Sequence, residues 1–422
     1  PDFGQVEVDP AVVNLSDVET FFNEKRPFFI EGANVFEFGY GGSNNFWGFN
    51  WSNPTIFYSR RIGRAPQGSL PNYDYGDFPL GTHILGAGKL TGRVFDEWKI
   101  GTIHAITNRE FAELQSGGQR SSVEIEPLAY YGITRIQRDF DGGRQGIGLI
   151  TTYTKRAYDD QRLRNQTNSD ALVAGIDGWT FLDSDKEFVI TGWGAMSHVQ
   201  GTRSRMIALQ RNSAHYYQRP DATHVEPDTL ATSLTGFAGR FLLNKQKGAV
   251  ILNVGLGTVD PGFDVNDLGF QSRTDLINGH IVVGYQWTTP TEYYRRLRLQ
   301  TATFGNLDYG GNKIWHGYWG SIFYEFTNYY SIASGWAYNP FTVDIRRTRG
   351  GPAMLTLPGR ELWWELGSDS RKEIVVSMFG FIYERTNEPS WQLETNIEWK
   401  PAPNISLRAG PYFGRDRTAA MY

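Results

Sequence analysis

The chain contains no cysteine, no large excess of charge of either sign and no long apolar run. Its 422 residues include 41 Lys and Arg against 45 Asp and Glu, which gives a formal net charge of -4. Disulfides, thiolate metal sites and cysteine nucleophiles are therefore excluded, and the charge does not suit a nucleic-acid-binding protein. No apolar stretch approaches the roughly 18 residues that a membrane-spanning helix needs. The sequence also opens without a secretory signal, so we expect a processed or incomplete chain.

Aromatic residues and glycine, in contrast, are abundant. The chain has 13 Trp, 22 Tyr and 27 Phe, together 15% of all residues, and 48 Gly. Aromatic side chains concentrate at both interfaces of membrane barrels, and glycine suits curved and closely spaced strands. A large soluble β-protein can show the same bias, so composition alone favours a barrel only modestly.

Alternation of apolar and polar residues gives a stronger signal. From Trp391 to Trp399, apolar residues occupy nearly every odd position and polar residues every even one. A turn at residues 401–404 follows, and the same parity resumes from Ile405 to Phe413. A period of two places the two sets on opposite faces of a strand. Paired strands whose faces meet two different solvents are typical of a transmembrane β-barrel.

The same pattern predicts about seventeen strands along the chain. They lie near residues 55–62, 83–95, 98–107, 122–138, 143–155, 170–183, 186–199, 230–244, 248–258, 279–289, 293–306, 312–327, 329–340, 353–367, 371–385, 389–400 and 404–414. Short and mostly longer links alternate, as periplasmic turns and extracellular loops do in outer-membrane barrels. The predicted fold is an all-β, transmembrane antiparallel β-barrel. An even count needs at least one more strand, so we expect about 18 strands (range of about 16–20), with closing strands missing after residue 422 or supplied by the N-terminal residues.

The first 52 residues do not follow the strand pattern. We expect residues 1–52 to form a periplasmic or plug-like segment ahead of a barrel at residues 53–422. Ser16 and Glu19 have the spacing of a capping box, which predicts a short helix. Pro27 is expected to end that helix.

A second candidate helix lies in the longest link, residues 200–229. The stretch from Arg205 to Tyr217 has the composition of a helix or an irregular lid, and counting it as a strand would break the alternation of short and long links. This link and residues 36–51 are apolar enough to fill the interior of a barrel.

Several arginines lie on predicted strands. Arg296 and Arg298 alternate with leucines, and an Arg on the lipid face at the bilayer midplane costs roughly 2–4 kcal/mol. We therefore expect both to face the lumen, and we assign Arg135 and Arg240 in the same way. The acidic residues expected to pair with these arginines are Glu361, Glu365, Glu394 and Glu398. A second interpretation is a selectivity patch for anionic or hydroxyl-rich solutes.

One loop carries the oxygen ligands of a weak calcium candidate. Asp260, Asp264, Asn266 and Asp267 are clustered there. The loop lacks the glycine and the terminal glutamate of an EF-hand, so a turn built on Asx residues is the favoured interpretation. No other cofactor is expected, because the seven histidines include no close pair of zinc ligands.

The residues following position 217 combine a cation, an acid and a base. Arg219, Asp221, His224 and Glu226 lie within one short segment. Because the segment lacks a nucleophile and a second ordered group, we interpret it as a loop-ordering segment and do not expect an enzyme. Catalysis would require turnover that depends on Asp221 or Glu226.

The longest specific motifs are residues 1–10, 21–29, 58–63, 84–92, 217–221 and 261–270. Together they resemble a family of bacterial outer-membrane β-barrels of unassigned function, whose members usually follow a carbohydrate-binding family 9-like domain. The resemblance covers essentially the whole chain. It implies a binding domain ahead of residue 1 and further strands after residue 422, and it implies no catalytic residues.

These observations lead to two main functional hypotheses for a protein of the bacterial outer membrane, in contact with lipid and lipopolysaccharide. The first is a channel or transporter for a small solute, with a saccharide as one candidate. The second is a non-transporting scaffold whose loops or plug bind an outer-membrane protein, a periplasmic protein or a glycan. A membrane-embedded hydrolase is the third and least supported hypothesis. Whether the lumen is plugged separates the first two.

Overall fold

A computed structural model describes residues 12–14, 16–43, 53–95, 97–385 and 389–417. The predicted N-terminal portion, residues 1–52, is therefore described only in part, and the expected closing strands lie outside the described residues. Within the described ranges, β-strands are the main element and helices are few. The prediction of an all-β, antiparallel fold is confirmed.

Twenty-two strands occur among the described residues. In chain order they are β1 Tyr75–Asp77, β2 Ile84–Val94, β3 Trp98–Thr107, β4 Glu110–Ser116, β5 Gln119–Glu126, β6 Leu128–Phe140, β7 Gln145–Ala157, β8 Asp170–Phe181, β9 Phe188–Gln200, β10 Ser233–Lys245, β11 Val250–Val259, β12 Leu276–Trp287, β13 Tyr294–Leu307, β14 Lys313–Phe326, β15 Ser331–Asn339, β16 Thr342–Asp344, β17 Met354–Thr356, β18 Gly359–Gly367, β19 Ile374–Arg385, β20 Ser390–Ala402, β21 Ile405–Ala409 and β22 Tyr412–Arg415. The helices are α1 Pro27–Ile30, α2 Gln161–Arg164 and α3 Arg203–Arg211, with 3-10 turns at Ala33–Phe36, Ser59–Arg61 and Asp141–Gly143. Among the described residues, no helix has the length and apolar character to cross a bilayer.

Seventeen of the described strands form one antiparallel sheet, which we call the main sheet. Pairing follows chain order from β2 and β3 through β6–β15 to β18, β19 and β20. The last two strands, β21 and β22, pair with different stretches of β20. The described residues therefore fill sixteen strand positions, which is the lower end of the expected range of about 16–20. The ladders of the described residues do not include one between β2 and either β21 or β22. Two small sheets, β1–β4–β5 and β16–β17, complete the fold.

The two faces of the main sheet differ, as the alternation in sequence requires. In β7, Ile150 is fully buried and the adjacent Leu149 is 44% exposed. Directly paired residues project to the same side, so the register carries this difference from strand to strand. We call the side of Ile150 the inner face and the side of Leu149 the outer face. Exposed apolar side chains on the outer face include Ile176, Leu256, Ile281, Ile322, Trp336, Leu362, Ile382 and Ile397.

Residues 16–43 and 53–64, which we call the N-terminal segment, lie against the inner face. The main hydrophobic cluster of the described residues forms there. It contains Phe29, Phe36, Phe38, Ile56 and Ile62 of the segment with Ile103, Tyr131, Ile133, Ile150, Val173 and Trp193 of the sheet. Burying one large apolar side chain typically contributes about 1.5–3 kcal/mol. The core therefore lies between the segment and the sheet.

The prediction of a strand at residues 55–62 is wrong. Thr55 forms an isolated bridge to Phe270, with backbone N–O distances of 2.9 and 2.8 Å, and Ser59–Arg61 is a 3-10 turn. The apolar alternation arises because this stretch is buried between the 260–275 loop and the inner face. The main sheet begins instead with β2.

The link between the strands predicted at 98–107 and 122–138, which the sequence pattern predicts as a loop, is instead mostly strand. Strands β4 and β5 form a hairpin there around Gly117 and Gly118, whose φ angles are 57° and 81°. Positive φ at both central residues is what a tight hairpin turn requires, and glycine adopts it readily. Pro127 then separates β5 from β6, because it has no backbone N–H to donate to a ladder. The single strand predicted at residues 122–138 is therefore two strands.

The short helix predicted to begin at Ser16 is wrong. Ser16 Oγ donates to Asn14 Oδ1 at 2.6 Å, and Glu19 forms an ion pair with Arg61. Neither side chain is therefore available for the predicted capping box. Pro27, expected to end a helix, begins α1 instead, because the first helical position does not need a backbone N–H donor.

Residues 205–217, expected to form a helix or an irregular lid, are helical only in their first part, within α3. Thr202 caps it by accepting a hydrogen bond from the backbone N–H of Arg205 at 3.2 Å. Met206 and Leu209 of α3 are buried against Val199 at the end of β9. The helix is thereby fixed across the long-loop end of the main sheet.

Candidate functional site on the inner face

The N-terminal segment crosses the inner face from β2 to β10. On β2, Lys89 Nζ donates to the carbonyl oxygen of Phe28 at 2.5 Å. On β10, Arg240 Nη1 donates to Asn53 Oδ1 at 3.2 Å, and Arg240 is only 5% exposed. The segment therefore covers the inner face of this half of the sheet, which we call the covered wall.

A glycine-rich turn allows the segment to approach two large rings on the covered wall. A Cβ on Gly39 would lie 2.6 Å from the ring of Trp193, and one on Gly41 would lie 2.1 Å from the ring of Trp179. Gly42 is equally close to Trp179, at 2.4 Å. Side chains larger than hydrogen do not fit at these positions without displacing the rings. The small size of these glycines therefore allows the turn to pack closely against both rings.

A buried ion pair fixes the same turn. Arg135, which is 1% exposed, donates two hydrogen bonds to Asp177, at 2.7 and 2.8 Å. The backbone N–H of Gly39 donates to the second oxygen of the same carboxylate at 2.7 Å. The ring of Phe38 lies 5.5 Å from the guanidinium group. A bidentate pair with these further contacts compensates the cost of burying two charges.

Hydrogen bonds from three inward side chains extend this anchoring. Thr191 donates to the carbonyl oxygen of Gly41 at 2.8 Å, and Gln246 donates to that of Gly42 at 3.0 Å. Asn244 Nδ2 donates to the Ser43 hydroxyl at 2.8 Å. Side chains of β9, of β10 and of the turn after β10 thus satisfy two backbone carbonyls and one hydroxyl of the N-terminal segment.

A second anchor lies earlier in the segment. Glu24 accepts two hydrogen bonds from Arg26, at 2.9 and 2.7 Å, and one from the Ser59 hydroxyl at 2.6 Å. Burial raises the pKa of the Glu24 carboxyl, but the hydrogen bonds from Arg26 and Ser59 outweigh burial and hold that pKa at about 2. Arg26 also donates to the carbonyl oxygen of Ile62 at 2.7 Å. This network ties the two parts of the segment to each other.

The inner face of β18–β21 is different, and we call it the open wall. Among the described residues, none of its side chains is buried. Its aromatic members are Trp363, Phe379, Phe381 and Tyr383, and its polar members include Glu361, Glu365, Gln392, Glu394, Asn396 and Glu398. Aromatic rings beside hydrogen-bonding groups are a common composition of small-molecule sites.

Three carboxylates of the open wall have no partner within the part of the chain that the structure describes. Glu365 and Glu394 flank Phe379 across three neighbouring strands, and Glu361 is paired in register with Tyr383. None of the three forms an ion pair or accepts a hydrogen bond from the described residues. These carboxylates are therefore able to bind a solute or an ion.

The predicted lumenal arginines pair locally instead. Arg296 donates to Glu325 at 2.6 Å, and Arg298 lies 5.7 Å from an aromatic ring on β14. Glu398 accepts a hydrogen bond from Arg408 at 2.9 Å. The predicted pairing of arginines with Glu361, Glu365, Glu394 and Glu398 is therefore wrong for Arg135 and Arg296. Direct cross-strand neighbours are closer and require no side chain to cross the interior.

The oxygens of the calcium candidate loop turn toward different partners. Asp264 pairs with His215 at 3.1 Å, and Asp267 pairs with Arg156 at 2.5 Å. Asp260 accepts a hydrogen bond from the backbone N–H of Gly262 at 2.8 Å, and Asn266 accepts one from that of Gln271 at 2.9 Å. The four side chains thus order the loop and are not gathered around one cation.

The residues following position 217 are also separated. Arg219 and His224 both contact Asp275, at 2.7 and 2.9 Å, whereas Asp221 accepts a hydrogen bond from the backbone of residue 353 and Glu226 is exposed. Within the described residues, His224, Asp275 and Asp308 are the group whose ligand atoms lie within 4.8 Å of one another. The guanidinium of Arg219 already neutralises Asp275 there. These contacts order the loop, in keeping with the favoured interpretation.

Comparison with known proteins places the chain in a family. Residues 1–410 match the family model described as Domain of unknown function (DUF5916). The chain belongs to this family. No curated protein matches it.

Among solved structures, the chain is similar to the ferric yersiniabactin uptake receptor FyuA from Yersinia pestis, with 12% sequence identity and a TM-score of 0.36. The match covers 84% of this chain and 65% of the receptor, so the chain spans less than two thirds of that protein. A likeness this distant identifies neither a solute nor a mechanism.

Proposed function

We propose that the chain forms a closed, plugged β-barrel in the bacterial outer membrane and that a small solute binds and passes along its open wall. The observation that carries this proposal is the difference between the faces of the main sheet. The outer face is apolar and exposed, while the inner face is covered in one half and polar in the other. Continuous apolar surface of this extent is unfavourable in water and marks contact with lipid.

Closure follows from the same reasoning. A sheet edge in hydrocarbon leaves backbone N–H and C=O groups unpaired, at a cost of several kcal/mol for each group. We propose that β2 pairs with the C-terminal strands and that this ladder removes both edges. The short turns then face the periplasm and the long loops face the outside.

The open wall suggests the kind of solute. Carboxylates without partners and half-buried aromatic rings suit a hydroxyl-rich or cationic small molecule, and a saccharide fits the first description. We propose no catalytic activity, because the acids of the open wall have no ordered base or nucleophile beside them among the described residues.

Conductance of the purified protein in planar bilayers tests this function. We expect a current through the wild-type protein, with a reversal potential that shifts when Glu365 and Glu394 are both changed to Arg. The control is Glu113→Arg, an exposed position on the β4–β5 hairpin that has no described partner. No current under any condition would end the transport proposal.

A scaffold is the alternative, and one observation favours it. The N-terminal segment is held by two buried or half-buried charge networks, one around Asp177 and one around Glu24. A segment fixed in this way could fill the interior permanently. Binding of a glycan or partner protein by the same non-conducting preparation would support the scaffold.

A further inference from the structure

A polar cavity lies at the long-loop end of the structure, between the N-terminal segment, α3 and the 260–275 loop. Its volume is about 220 Å³. Three arginines line it, Arg61 and Arg64 from the segment and Arg205 from α3. Two aspartates of the calcium candidate loop, Asp264 and Asp267, also line this cavity.

The acids that line this cavity already have partners. Arg61 holds Glu19 through two hydrogen bonds, at 2.7 and 2.8 Å. Asp267 is bound by Arg156, which does not line the cavity, and Asp264 is bound by the buried His215. Glu19 and Asp267 therefore each have an arginine partner, and Asp264 has a hydrogen-bond partner in His215.

Two of the arginines lack such a partner. Arg205 donates from Nε to the amide oxygen of Asn168 at 2.7 Å and forms no ion pair with a described residue. Arg64 forms no side-chain hydrogen bond or ion pair with a described residue, and its Nε is buried without a partner. Burial lowers the pKa of Arg64 to about 10 and lowers that of Arg205, and both groups are still charged at neutral pH. Among the described residues, the guanidinium groups of Arg64 and Arg205 therefore have no carboxylate bound to them, and the nearest acids act on them only at longer range.

We propose that this cavity binds a small anion through Arg64 and Arg205, with a phosphate or carboxylate group as the part recognised. Guanidinium groups present planar pairs of N–H donors that match the oxygens of these groups. Pockets for drug-sized ligands have volumes of about 300–1,000 Å³, so a cavity of about 220 Å³ suits a smaller ligand. A bound anion would supply the missing acceptors and offset the buried charge.

The position of the cavity connects binding to the N-terminal segment. A second cavity, of about 520 Å³, shares Glu19, Arg61, Arg64 and Gln67 with the first. Arg64 therefore lies between the two spaces, and an anion held there contacts the segment and the long loops at once. Anion binding should therefore increase the free energy of unfolding by RT ln(1 + [L]/Kd), where [L] is the concentration of free anion and Kd its dissociation constant.

The test is anion binding to the full chain in detergent, by titration calorimetry and by the shift of the thermal transition. Inorganic phosphate, sulfate, acetate and citrate are compared at constant ionic strength set with chloride, which separates phosphate from carboxylate recognition. We expect saturable binding of at least one of them. Arg64→Gln and Arg205→Gln should each weaken it at least tenfold, while Arg64→Lys should weaken it less.

The control is Arg203→Gln, an exposed arginine on the same helix with no described partner. It should bind the anion as the wild type does. No saturable binding to the wild type, or equal affinity in Arg64→Gln and Arg203→Gln, would overturn the proposal. If Arg64→Gln does not fold in chloride alone, Arg205→Gln against the same control decides the question. None of these outcomes depends on ion conduction, so the proposed function can fail separately.

Discussion

The covered wall and the open wall belong to one sheet, yet their inward-facing charged side chains differ: they are paired and buried on the first wall, while carboxylates on the second lack a partner among the described residues. On the covered wall, Arg135 and Asp177 satisfy each other and the backbone of the N-terminal segment, and both are buried. On the open wall, Glu365 and Glu394 flank an aromatic ring and have no partner among the described residues. A buried charge must be paired, whereas an exposed one can remain available to a ligand.

The covered wall therefore stabilises the fold, whereas the open wall carries the groups that the proposed function uses. A mutation on the covered wall should therefore change stability, and one on the open wall should change selectivity with little effect on stability.

The largest effect is expected for Asp177→Ala. The change leaves the Arg135 guanidinium buried without its carboxylate and removes the acceptor of the Gly39 N–H, so we expect a loss of about 3–5 kcal/mol in the free energy of unfolding. Glu394→Ala is the matched change on the open wall, with an expected effect within about 0.5 kcal/mol. Urea unfolding in lipid vesicles measures both. Equal losses in the two variants would remove the distinction between the walls.

A smaller effect is expected for Gly41→Ala. The new Cβ would lie 2.1 Å from the Trp179 ring, and the resulting displacement should cost about 1–3 kcal/mol. The control is Gly88→Ala on the outer face of β2, where nothing lies within 4 Å. Thermal unfolding and protease cleavage in the N-terminal segment are the measurements. Wild-type values for Gly41→Ala would show that the turn does not pack as described.

The smallest expected effect is a loss of stability at low pH. The Glu24 carboxyl has its pKa lowered from 4.5 to about 2 when folded, so its stabilising contribution is complete above pH 4.5 and is lost as the pH falls toward 2. After allowance for its partial exposure, we expect a contribution of about 1–2 kcal/mol.

Hydrogen exchange of the segment at pH 7, 4.5 and 2.5 measures this loss. Glu24→Gln should flatten the pH dependence, while the exposed control Glu37→Gln should keep it. A wild-type pH profile in Glu24→Gln would show that another group is responsible.

Much of the fold could be predicted from the sequence because its main signal is local. Alternation within a strand depends on neighbouring residues, and it located β3 and nearly all later strands of the main sheet to within a few residues. The hairpin β4–β5 also has a local signal, because Gly117 and Gly118 separate two alternating runs.

The site could be predicted only in part. Inward arginines can be recognised by their alternation with apolar residues, but the partner of Arg135 is Asp177, 42 residues away on another strand. Such a pair depends on how neighbouring strands align in the sheet, and local sequence patterns do not determine that alignment. The close approach of Gly39, Gly41 and Gly42 to the rings of Trp179 and Trp193 depends on the same long-range packing.

The most direct test of the account uses the absence of cysteine. Single cysteines at Glu365 and Glu394 on the open wall, and at the adjacent outer-face positions Leu366 and Leu393, can each be labelled in lipid vesicles with a water-soluble, membrane-impermeant thiol reagent. If the inner face meets water and the outer face meets lipid, cysteines at the two glutamate positions should be labelled at least tenfold faster than cysteines at the two leucine positions. Equal rates at adjacent positions, or faster labelling at the leucines, would contradict a sheet with lipid on one face and water on the other.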